Sequence, residues 1–234
     1  MKTMESDEKE KRQAEEMAGA HMPRTAIERG VIAPAQLAHI VLRTARYKKV
    51  VSWYRTLLNA EPTFSNNRLT FLSYDEEHHR IAIANMPVLG RRNKSRPGVD
   101  HVAFTYRSIG ELMENHARLR ERGIRPAWAI NHGPTTSMYY EDPDRNFVEL
   151  QVENFDTPED LAAWMSTGEF KENPVGVNFD PDDLLARYRA GEDEAELKRR
   201  PHIGRPDSSN VPKAYLGGWL YFLSTIARRL GIET

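Results

Sequence analysis

The chain has 234 residues, a formal net charge of -1, 39% hydrophobic residues and no cysteine. That is enough apolar content for one substantial core with extensions. It leaves no global electrostatic pull toward nucleic acid or a membrane surface. Without cysteine there are no disulfides, thiolate metal sites or cysteine nucleophiles. No apolar window approaches the roughly 18 residues of a membrane span, and the N-terminus lacks an n-region followed by an apolar h-region, so a cytoplasmic protein is expected.

Met1 to Glu16 is dominated by Glu, Lys, Asp and Arg and reads as a frayed or disordered lead-in. Residues 1–34 form a charged segment and linker. Leu37 to Leu42 is a short apolar run with His39 inside it, the pattern of a buried strand. Ala45 to Leu58 has helical spacing, and strands follow near Thr63–Ser65, Leu69–Tyr74 and Arg80–Ala84. A second unit repeats this plan. Val99 to Tyr106 is a strand containing His101, Ile109 to Arg122 is a helix closed by Gly123, and Ala127–Ile130, Ser137–Glu141 and Phe147–Val152 are three more strands. Asp142-Pro143-Asp144-Arg145-Asn146 is the turn of the last hairpin. The units occupy about 35–90 and 97–155, a single domain over 35–155. The expected fold class is α+β, with two βαβββ modules and a helical C-terminal extension over 156–234.

Glu149 lies among Phe147, Val148, Leu150 and Val152, and a carboxylate there is costly unless a cation or metal meets it. A lone histidine on an apolar strand is ordinarily a hydrogen-bonded core residue. Here His39 and His101 stand third in equivalent runs and Glu149 lies on the last strand, so the three converge if the modules pack as a pseudo-symmetric pair. Neutral imidazole and carboxylate suit a divalent first-row metal, with coordination positions left open for chemistry.

With these features the sequence resembles the vicinal oxygen chelate superfamily of glyoxalases, bleomycin-resistance proteins and type I extradiol dioxygenases, over about Ala35 to Phe155. The resemblance implies paired modules curved around a metal held by His39, His101 and Glu149. Tyr74 to Ala84, YDEEHHRIAIA, is similar to the segment in biphenyl-diol and catechol extradiol dioxygenases where the second histidine of a pair is the acid/base, here His79. Tyr139 holds the place of the tyrosine before the Pro-containing turn. Its neighbour Tyr140 must point to the opposite face. His132 resembles a histidine that hydrogen-bonds substrate before this hairpin in single-domain members.

Arg80 to Ala84 offers no carboxylate, glutamine or histidine as a fourth ligand, which favours oxygen activation over a glyoxalase-like site. The resemblance therefore implies an Fe(II)-dependent extradiol dioxygenase, with Mn(II) accepted by the same ligands, acting on a catechol-type diol and O2. A glyoxalase-like lyase or isomerase and a metal-free small-molecule binder are the alternatives. Trp128 and Met138 are expected in the pocket wall, His116 at the surface, and Arg91 to Arg96 in a solvated loop, so no nucleic-acid partner is expected. Helices are expected to start at Thr157–Asp160 and Asp180–Asp183, and Lys198 to Ser209 to form a linker. Ala214 to Leu230 has a helical apolar stripe, expected as a homo-oligomer contact rather than a membrane anchor.

Overall fold

A computed structural model describes residues 25–90 and 97–204. The expected lead-in at 1–16, basic loop at 91–96 and apolar stripe at 214–230 lie outside the described residues. The first module runs β1 (Ile40–Thr44), α1 (Tyr47–Leu58), β2 (Glu61–Ser65), β3 (Leu69–Ser73) and β4 (Ile81–Asn85). The second runs β5 (His101–Thr105), α2 (Ile109–Glu121), β6 (Trp128–Asn131), β7 (Thr135–Glu141) and β8 (Phe147–Glu153). The sheet orders are β1-β4-β3-β2 and β5-β8-β7-β6, the latter extended by β9 (Val177–Asn178). In both modules the first strand lies parallel to the last, Ile40 opposite Ile81 and His101 opposite Phe147. The repeat read from the sequence is thus a repeat of topology. His39 stands one residue before β1 rather than within it.

Local chemistry explains the element ends. α1 buries Val50, Tyr54, Leu57 and Leu58 and ends where Asn59 turns left-handed (φ 52°). The Ser108 side chain caps α2 by accepting from the Glu111 amide at 3.1 Å. In the β7–β8 turn, Asp142 accepts the amides of Asp144 and Asn146, both at 2.8 Å. An aspartate is needed there because its short side chain folds back onto its own turn.

Alternation along the strands separates two faces. On β7 and β8, Met138, Tyr140, Val148, Leu150 and Val152 join α1 and α2 in the main core. Tyr139 and Phe147 face the other way, in a smaller cluster with Trp128, Ile130 and Val175. Met138 is therefore a core residue and not a wall of the site. The modules share the main core and are tied by polar contacts. Arg118 Nη2 donates to the Thr56 carbonyl at 2.7 Å, capping the end of α1, and Arg46 reaches the Pro143 carbonyl of the second module's turn.

After β8 come α3 (Pro158–Ser166), α4 (Glu169–Glu172), β9, α5 (Pro181–Arg189) and α6 (Glu194–Lys198). Thr157 and Asp180 cap α3 and α5 as expected. The extension is not wholly helical, since β9 pairs antiparallel with β6. His116, expected at the surface, is only 1% exposed, and its Nε2 lies 2.8 Å from Asp182 Oδ1, which docks α5 on α2. Among the described residues no helix is long and apolar enough to cross a membrane.

Leu57 is fully buried between the modules, whereas Val88 is 89% exposed. Leu57→Ala is expected to lower unfolding stability by about 2–5 kcal/mol. Val88→Ala should leave it within about 0.5 kcal/mol, with urea midpoints giving both values.

Candidate metal centre

Glu149 lies at the middle of β8, 4% exposed, on the face opposite the main core. Register brings its partners to it. Tyr139 lies directly across from Glu149, and Trp128 directly across from Tyr139, so the three form one row over three strands. The Tyr139 hydroxyl donates to Glu149 Oε1 at 2.9 Å. Its ring stacks on Trp128 with centroids 5.1 Å apart, so Trp128 backs the phenol. From β5, His101 Nε2 lies 3.0 Å from Glu149 Oε2, while its Nδ1 is 2.8 Å from Asp100 Oδ2. Ser137, on the same face of β7, also hydrogen-bonds Glu149.

These contacts set the charges. Burial opposes ionisation of Glu149, but hydrogen bonds from His101, Ser137 and Tyr139 prevail and hold its carboxyl below the usual range. The Glu149 carboxylate, assisted by Asp100, lifts His101 to about 9 against the effect of burial. Without a metal the site is an ion pair.

His132 follows β6, and its Nε2 is 2.9 Å from the Tyr139 hydroxyl. Its Nδ1 meets the Val175 carbonyl, so Nδ1 carries the proton and Nε2 presents a lone pair. Burial holds its pKa below the ordinary value, and the ring is neutral. His101, Glu149, Tyr139 and His132 lie in one chain of contacts at hydrogen-bond distance on the second sheet, the single Tyr139 proton serving either Glu149 Oε1 or His132 Nε2.

His39 and His79 come together on the first module, ring centroids 4.3 Å apart. His79 is buried and stacks on Phe71 at 4.2 Å. Burial, then His39, depress its pKa, and its Nδ1 has no hydrogen-bond partner among the described residues. Arg80 holds this corner: its Nη1 donates to the Leu37 and Ala38 carbonyls at 3.1 Å each, just before His39, while its Nε binds Asp75 at 2.9 Å. A cavity of about 290 Å³ lies between the modules, lined by His39, Tyr74 and Arg80 from the first and by Ala103, Phe104 and Thr105 of β5.

The chain matches the Glyoxalase/Bleomycin resistance protein/Dioxygenase superfamily over residues 36–150. It is 45% identical over 160 residues to a Rhodococcus globerulus protein named biphenyl-2,3-diol 1,2-dioxygenase 2, covering 68% of this chain and 84% of that one. It is 39% identical over 183 residues to biphenyl-2,3-diol 1,2-dioxygenase 3 of the same organism, covering 77% and 96%. The chain belongs to this superfamily. Among solved structures, a lactoylglutathione lyase from Agrobacterium tumefaciens is similar at 18% identity and a TM-score of 0.43, over 52% of this chain and 96% of that one.

A superfamily with dioxygenase members implies a metal cofactor, and the donor chemistry present here fits one. From adjacent strands His101 Nε2 and Glu149 Oε2 face each other 3.0 Å apart, a nitrogen and an oxygen donor that a metal ion could take up, and on the first module the buried Nδ1 of His79 is without a partner among the described residues. Of the three ligands expected from the sequence, the structure brings two together. His39 stands with His79 on the first module, and among the described residues no three His, Asp or Glu side chains cluster closely enough to hold a metal.

Sequence reasoning missed Asp100, Ser137 and the Val175 carbonyl. The first two follow from spacing, one residue before His101 and two before Tyr139. Val175 carries no signal, since a backbone carbonyl is blind to residue type.

The raised His101 pKa has a testable consequence. A folded value of about 9 against about 6.5 unfolded means that the His101–Glu149 pair contributes fully below pH ~6.5 and is lost as pH rises through about 9. In chelator-treated protein the urea midpoint is expected to fall across that window, and His101→Gln should flatten the decline.

Proposed function

We propose that the protein is an extradiol dioxygenase that opens the ring of a catechol-type aromatic diol with O2, using Fe(II), or Mn(II), held by His101, Glu149 and His39. The observation that carries this reading is the hydrogen-bonded chain His101–Glu149–Tyr139–His132 on one sheet face, in a chain whose relatives are named biphenyl-2,3-diol 1,2-dioxygenases.

When bound, the metal supplies the positive charge that lowers the pKa of a chelating diol, together with open positions for ligands. The protein's own groups divide the remaining work. Tyr139 has one proton and two acceptors at 2.9 Å, Glu149 Oε1 and His132 Nε2. With a metal on Glu149, the hydroxyl proton would turn to His132 Nε2, and the phenol oxygen would be left to accept a hydrogen bond from a diol hydroxyl. His79 is the acid/base on the opposite side. Its Nδ1 is free of protein partners among the described residues and its ring is fixed by stacking on Phe71, so it can hold or deliver a proton to an oxygen-derived anion. Trp128, stacked on Tyr139, offers apolar surface for an aromatic ring on the same face as Glu149.

β4 argues against a glyoxalase-like lyase. Its residues Ile81 to Ala84 carry no side-chain metal donor. The partners of the reaction are a small aromatic diol and O2, and the finer expectation of a cytoplasmic homo-oligomer belongs to this reading as well.

The test is anaerobic reconstitution with Fe(II) followed by oxygen uptake and absorbance scans with catechols of increasing size. Metal-dependent oxygen consumption with a coloured ring-opened product is the expected result. His79→Ala should retain metal and lose roughly 100-fold or more in turnover. Stoichiometric metal binding without oxygen uptake on any diol would overturn the reading in favour of a lyase or isomerase.

A further inference from the structure

The residue that fixes His132 is not on its own module. Asn173 to Gly176 forms a tight turn between α4 and β9 that carries the Val175 carbonyl to the His132 ring. Asn173 is 2% exposed and closes the turn on itself. Its Oδ1 accepts the amides of Val175 (3.2 Å) and Gly176 (2.9 Å), and its Nδ2 donates to the Gly176 carbonyl at 3.0 Å. Arg200 then crosses behind. Its Nη1 donates to the carbonyls of His132 (3.1 Å) and Asn173 (2.9 Å), and its Nη2 to that of Glu169 (3.0 Å). The guanidinium also lies 5.0 Å from the ring centroid of Trp164.

One planar cation therefore grips the histidine's own backbone, the first residue of the turn that holds its ring, and the helix before that turn. Two glycines let these parts close. At Gly133 (φ 102°) a Cβ would lie 2.1 Å from the Trp164 ring, and at Gly176 (φ 117°) it would lie 2.4 Å from the Asn131 carbonyl.

We propose that Arg200 and Asn173 are positioning residues of this site, which hold the Val175 carbonyl against His132 so that the imidazole keeps its proton on Nδ1 and offers Nε2 to Tyr139. The chemistry requires this tautomer. With the proton on Nε2 the ring would donate to the phenol oxygen, keep the Tyr139 proton on Glu149 and leave no base to receive a proton passed on through Tyr139. The inference rests on the proposed role of the Tyr139–His132 pair, but the tautomer itself is independent of turnover. An arginine suits the position because three carbonyls in different directions need a rigid fork; a lysine ammonium presents the same charge without that plane.

The experiment measures imidazole nitrogen chemical shifts of the metal-free protein, with His132 assigned by His132→Gln, in the wild type, Arg200→Ala, Arg200→Lys and Asn173→Ala. The Nδ1-protonated form is expected in the wild type. Both alanine variants should populate the Nε2-protonated form, and Arg200→Lys should do so to a smaller extent. In protein reconstituted with Fe(II), kcat on a catechol should fall about 10-fold or more in the same order. Folded variants that retain the wild-type tautomer would overturn the inference, even if their stability falls. Should Arg200→Ala fail to fold, Arg200→Lys and Asn173→Ala decide by the same criterion. Absence of oxygen uptake in every variant would instead sink the dioxygenase reading and leave the tautomer result standing.

Discussion

A carboxylate at the centre of a buried strand is the constraint around which the second module is built. Removing an ionised Glu149 from water without partners would cost several kcal/mol. Its two oxygens are met from three directions, by His101 from the parallel neighbour strand and by Tyr139 and Ser137 from the antiparallel one. Each of those residues is in turn held. Asp100 orients the far nitrogen of His101, Trp128 stacks on Tyr139, and His132 takes up the other side of the phenol. A partly satisfied network of this kind is worse than an apolar core, so the residues must act as a set. The sheet order makes the set available, because only a last strand lying between the first strand and the hairpin partner can receive groups from both.

The first module repeats that topology without the carboxylate. Where β8 has Glu149, β4 has the small apolar run Ile81 to Ala84, and the polar weight of the module moves to the corner formed by Arg80, His39 and His79. Arg80 has its charge matched by Asp75 and uses its remaining donors on the backbone just ahead of His39. The two halves thus differ in kind. One is a closed hydrogen-bonded chain, and the other is a pair of imidazoles with an unpartnered buried nitrogen among the described residues.

Most of the architecture was legible in the sequence because it is written in side-chain alternation and turn chemistry. The two βαβββ units, the Asp142 turn and the caps at Thr157 and Asp180 depend on local patterns, and the meeting of His101 with Glu149 depends on the repeat, which did not bring His39 to them. Less legible were features set by the partner rather than by the residue. Met138 has a neighbour of equal plausibility on the other face, and only register sends it to the core. His116 stands among charged residues in a helix that reads as solvent-facing, yet Asp182 from a segment 66 residues later covers it. His39 sits in an apolar run, but pairing with β4 begins only at Ile40.

The C-terminal extension was the least legible part, for a physical reason that also bears on function. Its contribution to the site is a backbone carbonyl and a strand of two residues, neither of which leaves a mark on residue type. Its anchor, Arg200, lies in what composition reads as a Pro- and Arg-rich linker. Yet its three carbonyl partners are drawn from α4, from the turn before β9 and from the loop after β6. A half-buried guanidinium without a carboxylate partner among the described residues gives up hydration, and the carbonyls must replace it. That requirement couples the conformation of the extension to the loop bearing His132, so the extension is bound to the site by the need to solvate its own cation.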